Sequence, residues 1–540
     1  MSSVERNEAP VGIVGAGPVG MVLALRLASF GVPSVVLEAE PALCKQGSKA
    51  CLIQGDVLDI LDKFGCAAPL ADEGVTWHVG HTYVKGKEIR RTEYPRPIGY
   101  GPFVNISQYR IEQVLLAALE AEPEASLYWS QRVVAVAQDD DGVTVGVEGG
   151  GWHRFRYLVA CDGMRSTVRE LAGVEWTGYS HKDRFLITDI KAALPFAKER
   201  HFHYDPPFNP GRQTIMHPQP DGVWRIDWQL APEVDIDEER RTGALDRRIR
   251  AVIGDIHYEI DWLSTYRFNQ RVAERLTVGR VFFAGDAAHA MPPYGSRGMN
   301  SGIQDADNLA WKLALVLHRQ ANETLLDTYH AERFAAAKEN LAVAEATIKF
   351  MAPPSEFRRL LRDALLALVS PVKSLRRHVN SGRMAEPFVY NDSPIVEPRG
   401  DNPVVGMFAP DGLVRHAGAT VRLRTLLGAG FVGLFFGADA GAASRFAAQA
   451  GARPGDVPAR LVLVLPSDVD PSGVTGADDL PVIVVSDVDD GMRTRYGARD
   501  GSWFVVRPDG HIGAVREAAR AGEFVDIVRA CAGAAATRVS

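Results

Sequence analysis

The stretch from Pro10 to Glu38 constrains this chain more than any other. Pro10 to Val14 is a short apolar run of strand character, followed by Gly15-Ala16-Gly17-Pro18-Val19-Gly20, a helical segment to about Phe30, a second apolar run from Ser34 to Leu37, and Glu38. Strand, glycine-rich turn, helix, strand and terminal acid is the dinucleotide fingerprint in its proper setting. Gly15 permits the tight turn, Gly17 lets a pyrophosphate touch backbone, and Gly20 lets helix and strand pack closely. Glu38, about 20 residues further on, is placed to accept the hydroxyls of an adenosine ribose. Such a unit predicts an α/β fold that binds a dinucleotide. Taken alone, it fits NAD and FAD equally.

A second stretch, Arg280 to Leu313, ends another apolar strand (Val281 to Ala284) in Gly285-Asp286. A loop with Pro292, Pro293, Gly295 and Gly298 follows, and then a helix. Glycines let backbone approach a flat ligand closely. The next helix would aim its N-terminal N–H groups at that ligand, which suits a cofactor that gains negative charge, such as a reduced flavin. Between these stretches Tyr157 to Cys161 is a third such strand, closing on Asp162-Gly163 with Ser166 and Arg169. Two strand-terminal acids, Asp162 and Asp286, therefore follow strands that can join the first sheet.

Length and charge set the outer limits. A chain of 540 residues holds two or three domains. A net charge of -7 argues against a general nucleic-acid binder. The 5 cysteines lack a CxxC pair, which offers neither a disulfide framework nor a zinc site and fits a reducing cytoplasm. The polar N-terminus leads straight into a strand, so no signal peptide is expected, and no apolar run approaches the ~20 residues that span a bilayer. The expectation is a soluble cytoplasmic protein with no metal, nucleic-acid or membrane partner.

Elsewhere, Lys49 could meet a pyrophosphate, and Gln108, at the entrance of the helix from Ile111 to Glu120, can donate to a phosphate or ribityl oxygen or simply cap. Alternation between Leu127 and Val147 predicts two strands joined at Asp139 to Gly142. From Phe185 to Leu230 the pattern changes to long, aromatic-rich strands with Phe202, Tyr204, Phe208, Trp224 and Trp228, an inserted antiparallel sheet that could wall a flat apolar substrate pocket. His201, His203, Tyr204, His217 and Arg225 are its polar candidates; Tyr204, His217 and Arg225 are the catalytic candidates, and no base is singled out. Helices are expected over Ala310 to Arg319 and Leu326 to Phe350, and an amphipathic one over Phe357 to Val369. Strands at Phe431 to Phe436, Arg460 to Leu465, Val482 to Val485 and Trp503 to Arg507 alternate with helical patterns in a small α/β domain.

Together these motifs resemble the class A flavoprotein aromatic hydroxylases, nearest in layout to the 3-(3-hydroxyphenyl)propionate hydroxylase and phenol hydroxylase branch. The resemblance rests on Gly15 to Gly20 with Glu38, on Asp162-Gly163 with Ser166 and Arg169, and on Gly285-Asp286-Ala287-Ala288-His289 with Pro292-Pro293, Gly298-Met299-Asn300 and Gln304-Asp305-Ala306. It implies a Rossmann-like FAD-binding domain over 8–184 and 268–380, a para-hydroxybenzoate hydroxylase-like substrate sheet over 185–267, a linker over 381–403, and a thioredoxin-like domain over 404–540. Without CxxC that last domain is left with packing or dimerisation as its role. By the same resemblance Asp286 holds the ribityl chain, and Gly298, Met299 and Asn300 face the pyrimidine edge of the flavin. Lys49 stands where the family has arginine, Gln108 matches an FAD-contacting glutamine, and Pro293 shapes the oxygen-side pocket. Gly295-Ser296-Arg297-Gly298 departs from the family loop by adding a cation. The implied activity is an FAD-dependent monooxygenase, reduced transiently by NADH or NADPH, that hydroxylates a small phenolic substrate with molecular oxygen through a flavin C4a-hydroperoxide. Baeyer–Villiger insertion or epoxidation of a polycyclic aromatic polyketide on the same scaffold, or a flavin-fold binding protein without turnover, are the alternatives, and a homodimer is compatible with all three.

Overall fold

The computed structural model describes residues 5–6, 9–44, 50–95, 98–292, 295–351, 357, 360–362, 364, 384, 386–400, 402–451, 453–476 and 479–533. Val11–Val14 is buried at all four positions, as expected of a strand covered on both faces in a parallel sheet. It lies inside a six-stranded sheet in the order Thr277–Val278, Val281–Phe283, Tyr157–Ala160, Val11–Val14, Ser34–Leu37 and Ala125–Tyr128. Every neighbouring pair is parallel except the first. Val14 pairs with both Ala160 and Leu37, and Ala160 with Phe283, so these strands finish level. Gly15, Asp162 and Gly285 consequently leave one carboxyl edge, where open α/β sheets bind ligands.

The helices Pro18–Ser29 and Arg297–Leu317 pack against each other above this edge. The second begins thirteen residues before the apolar periodicity predicts. Its first three turns carry Asn300, Ser301, Asp305, Asp307 and Asn308, all buried, and these are held by hydrogen bonds that a hydrophobic pattern does not register. The alternation after Leu127 also divides differently. Ala125–Tyr128 closes the six-stranded sheet, whereas Val133–Asp139 and Gly142–Val147 form a hairpin in a separate four-stranded sheet. The chain breaks between them at Ser130, whose φ of 57° ends the extended run.

An eight-stranded sheet stands beside this unit, in the order His289–Ala290, Glu259–Ala273, Trp176–Lys191, Val223–Leu230, Gln213–Pro218, Arg200–Tyr204, Val79–Val84 and Lys87–Glu93. It is antiparallel apart from the pairing of Arg200–Tyr204 with Val79–Val84. Strand side chains alternate between faces. One face buries Leu186, Trp224, Ile226 and Trp228 beneath Leu245, Ile249 and Ile253 of the helix Ala244–Ile253. The inner face carries Phe185, Asp189, Phe202, Tyr204, His217, Arg225 and Asp227. Ile348 of the long helix Asp327–Met351 packs into its apolar end.

The C-terminal part is a seven-stranded sheet with Ala459–Leu465 at its middle; the next strand, Phe431–Phe436, is parallel to it and antiparallel to Trp503–Val506. Coil from 386 to 400 runs between the two parts and is anchored by buried Tyr390 and Ile395. The helix expected over Phe357 to Val369 lies mostly outside the described residues. Among those described, no helix is long and apolar enough to cross a membrane.

Candidate functional site

Three turns, remote in sequence, meet by close packing. Gly15 has φ +104°, and a Cβ on it would lie 2.5 Å from the carbonyl oxygen of Cys161, just before Asp162. A Cβ on Gly20 would lie 2.0 Å from the carbonyl oxygen of Gly15. Val19 is wedged between the other two elements: a Cβ on Gly285 would come within 2.9 Å of its Cγ2, and one on Gly302 within 2.7 Å. Gly17 differs, since nothing stands within 4 Å of where its Cβ would be. That open space at the start of the helix Pro18–Ser29 is where a pyrophosphate can approach backbone. Beside it, Glu38 accepts the Ala16 N–H at 2.6 Å and the Glu40 N–H at 2.9 Å, one on each carboxylate oxygen. The carboxylate is thereby fixed with lone pairs left over for two ribose hydroxyls.

The Asp162 turn is tied to the Gly285 turn by Arg169. This buried guanidinium donates to the backbone carbonyls of Ala287 (3.0 Å) and Met164 (3.1 Å) and lies 3.8 Å above the Trp176 ring. Asp162 accepts the Val168 N–H at 3.1 Å through Oδ2, while its buried Oδ1 has no hydrogen-bond partner among the described residues. Burial raises the Asp162 carboxyl above the ordinary aspartate range. An orphaned acceptor at the strand edge suits a cofactor hydroxyl.

Asp286 is exposed at the start of its turn, and a Cβ on Gly298 would sit 3.9 Å from its Oδ1. The turn itself is held from below, because Asp305 accepts the Gly285 N–H at 3.0 Å and bonds His289 at 2.7 Å. Helix Arg297–Leu317 starts at Ser296 with no side-chain cap, so its first N–H groups are open to a ligand. Asn300, expected to face the flavin, spends its side chain elsewhere: it donates to the carbonyls of Leu52 (3.1 Å) and Ser296 (2.7 Å) and accepts the Gln54 N–H (3.0 Å). Only backbone at Gly298, Met299 and Asn300 is left for a ligand to use. Arg297 is buried and donates to Asn340 and to the Met384 carbonyl, so this added cation clamps the helix start to the rest of the chain. Gln108 lies one residue beyond the true cap, Ser107; it donates to Glu112 and accepts the Ala50 N–H. Lys49 and Pro293 lie outside the described residues.

Of the sheet candidates, Tyr204, His217 and Arg225 share the inner face, whereas His201 and His203 turn outward and stack on His81 and Tyr83. Tyr204 sits among Phe202, Ile215 and Ile348, and burial drives its hydroxyl far above the usual range. Arg225 forms a bidentate pair with Asp189, both bonds at 2.7 Å. Next to this pair is a residue that the sequence reading missed, Asp227. Burial, opposed by Arg225, pushes its carboxyl up to about 7. The signal was present in Arg225-Ile226-Asp227-Trp228-Gln229, where polar residues recur at every second position of a strand. Cys51 links this face to the start of helix Arg297–Leu317: its carbonyl accepts from Gln219 at 3.3 Å, and the next residue, Leu52, is held by Asn300.

Fold and turns together define an FAD-binding α/β enzyme with a second, mostly antiparallel sheet beside the first. Residues 8–344 match the family described as FAD binding domain, and residues 406–531 match the HcaD C-terminal domain. Over 390 residues the chain is 32% identical to 3-(3-hydroxy-phenyl)propionate/3-hydroxycinnamic acid hydroxylase 2 of Burkholderia vietnamiensis, covering 70% of each protein. It is 35% identical over 363 residues to rifampicin monooxygenase of Streptomyces venezuelae, covering 65% of this chain and 74% of that one. The fold matches the flavin-dependent monooxygenase PieE, solved with FAD and substrate, with a TM-score of 0.81 and 22% identity over 98% of this chain and 100% of that one. The chain belongs to the FAD-dependent monooxygenase family that these hydroxylases represent.

Proposed function

We propose that this enzyme hydroxylates a phenolic ring, with FAD at the edge where the three turns meet and the ring against the inner face of the eight-stranded sheet. One observation carries the reading: the Asp162, Gly285 and fingerprint turns converge on the open space at Gly17, and Cys51 joins them to the charged inner face. When bound, FAD would supply the redox chemistry that links NADH or NADPH and molecular oxygen to insertion of one oxygen atom into the ring, the other leaving as water. The chain's own part is narrower. Glu38 orients the adenosine ribose, Asp162 and Asp286 accept hydroxyls of the ribityl chain, and the start of helix Arg297–Leu317 stabilises negative charge at the pyrimidine edge. Apolar residues such as Phe185, Phe202 and Phe268 keep water from the reacting ring.

In this reading the cofactor part spans 8–184 and 268–380, and the substrate sheet 185–267 with the two strands at Val79–Val84 and Lys87–Glu93. Residues 381–403 connect it to a thioredoxin-like domain over 404–540. Support for that last name is the strand order Ala459–Leu465, Phe431–Phe436, Trp503–Val506, Ile512–Arg516, with the first two parallel and the rest antiparallel. We place the enzyme in the cytoplasm.

The test is oxidation of NADH and NADPH by the FAD-loaded enzyme, with and without a phenol panel headed by 3-(3-hydroxyphenyl)propionate. The expected result is oxidation stimulated by one phenol and matched by a product 16 mass units heavier, about one oxygen atom per turnover. The likeness to rifampicin monooxygenase supports a second reading, a larger polycyclic substrate on the same site. Bound FAD with no response to any phenol, but with oxidation stimulated by a polycyclic phenol, would select it.

A further inference from the structure

The inner face of the eight-stranded sheet contains polar groups that neither the fold nor the flavin seat uses. Asp227 lies on the inner face of the sheet, close enough to the Cys51 segment to raise its thiol, and it is only half-buried, so part of its surface is left for a ligand. Its Oδ1 is shielded and has no hydrogen-bond partner among the described residues. His217, 6% exposed, sits diagonally across the strand pair; its Nδ1 also has no partner among them. Gln219 donates to Cys51 but leaves its side-chain carbonyl oxygen unused. Asp227 and His217 are diagonal neighbours that each keep an unpaired atom, and Gln219 keeps a third just past the end of the His217 strand; each costs about 1–3 kcal/mol unless a ligand completes it.

The charges around the patch decide what that ligand is. Arg225 is neutralised by Asp189, and Arg200 brings a further buried cation to the same face. Cys51, facing from the flavin-side segment, stays a thiol, because burial raises it to about 11. Asp227 is thus the acceptor, with Arg225, Asp189, Arg200 and His217 as its charged or titratable neighbours on the sheet and Cys51 opposite. A neutral hydroxyl fits such a patch on entry. An oxyanion is then stabilised by the guanidinium groups.

We propose that Asp227 is the base that takes the phenolic proton, with His217 and Gln219 hydrogen-bonding the substrate's polar end. The substrate O–H bond breaks, an O–H bond forms on the Asp227 carboxylate, and the electron pair stays on the phenolate oxygen, from which it enriches the ring for oxygen transfer. The proton passes to solvent when product leaves. An acid poised near neutral pH is matched to this transfer. This inference rests on the phenol hydroxylase reading above.

The experiment compares FAD-loaded wild type, Asp227→Asn and Asp227→Glu with 3-(3-hydroxyphenyl)propionate, following the phenolate absorption band of the bound substrate across pH and the product formed per NAD(P)H oxidised. Wild type is expected to show the band at a lower pH than free substrate. Asp227→Asn should bind FAD and substrate, lose the band at neutral pH, and make at least about tenfold less product while still oxidising NAD(P)H, the surplus appearing as hydrogen peroxide. Asp227→Glu should restore the band with a shifted midpoint. If Asp227→Asn gives no holoenzyme, Asp227→Glu decides: a moved midpoint supports the inference, and an unmoved midpoint with unchanged product overturns it. A band and product yield in Asp227→Asn equal to wild type overturn the inference alone. Wild type that hydroxylates no phenol overturns the underlying reading and this one with it.

Discussion

Two buried charged regions of this molecule look alike in composition and differ in completeness. Beneath the cofactor edge, Asp305 pairs with Arg333 at 2.6 Å, Arg333 donates to the Tyr390 hydroxyl at 3.1 Å, and Asn308 joins that hydroxyl to Glu332. Glu332 also takes Lys312 at 2.7 Å and Arg507 at 2.5 Å, and Arg507 closes on Asp509. This chain runs without a break from the Gly285 turn into the C-terminal domain, and each of its carboxylates and guanidinium groups is paired. On the inner face of the eight-stranded sheet the Arg225–Asp189 pair is complete, while Asp227 and His217 keep atoms with no hydrogen-bond partner among the described residues. A saturated network has nothing left to offer a ligand and serves to hold. An unsaturated one can still be completed by a ligand. Burial and charge alone would have ranked the two regions equally.

That contrast can be broken experimentally. The largest effect is expected for Glu332→Ala, which strands Lys312 and Arg507 in the interior; unfolding in urea should reveal a loss of about 3–5 kcal/mol, with turnover per bound flavin little changed. Removing Asp227 should do the reverse, since its loss touches turnover and spares the fold. Next in size is Gly17→Val. Because no atom stands near that Cβ, the fold should survive, and isothermal titration with FAD should register binding at least about tenfold weaker. Unaltered FAD affinity would remove Gly17 from the cofactor seat.

Acid and base responses separate the regions by sign. Burial raises Glu332, but Arg507 and Lys312 outweigh it and hold its carboxyl well below the ordinary range. Its stabilisation is therefore complete above about pH 4.3 and lost on acidification below that. Asp227 is raised to about 7, so the fold is favoured fully below about pH 4 and gives up that contribution as pH climbs through 7. Urea midpoints measured against pH should flatten between pH 4 and 7 in Asp227→Asn and below pH 4 in Glu332→Gln. The smallest effect is expected at the surface pair of Arg110 and Glu73, 39% and 44% exposed, where Glu73→Gln should change stability by less than about 1 kcal/mol and vanish into high salt.

The sequence carried the placement of the three turns well because its signals are local. Gly15, Gly17, Gly20 and Glu38 lie within one strand-helix-strand unit, and Asp162 and Asp286 each end an apolar run, so position along the chain already implies position on the sheet edge. Asn300 was legible as a motif member, but its task, pinning Leu52 and Gln54, depends on a partner about 250 residues away and leaves no local trace. The early turns of helix Arg297–Leu317 were hidden for a related reason, since they bury polar groups instead of apolar ones. Asp227 is less legible than the aromatics and histidines around it, because the face it shares is set by a two-residue period together with the register of the neighbouring strands. His201 and His203 lie in the same segment and point the other way. Tertiary placement, not residue type, separates them.

The central claim is that the three converging turns seat FAD. Its most direct test is an absorption spectrum of the purified chain, followed by titration with FAD after removal of any bound cofactor, in wild type and in Asp286→Ala. The account predicts a flavin spectrum, one FAD per chain, and binding weakened at least about tenfold by the substitution. A colourless protein that FAD cannot reconstitute, or an Asp286→Ala variant that binds FAD as wild type does, would contradict it.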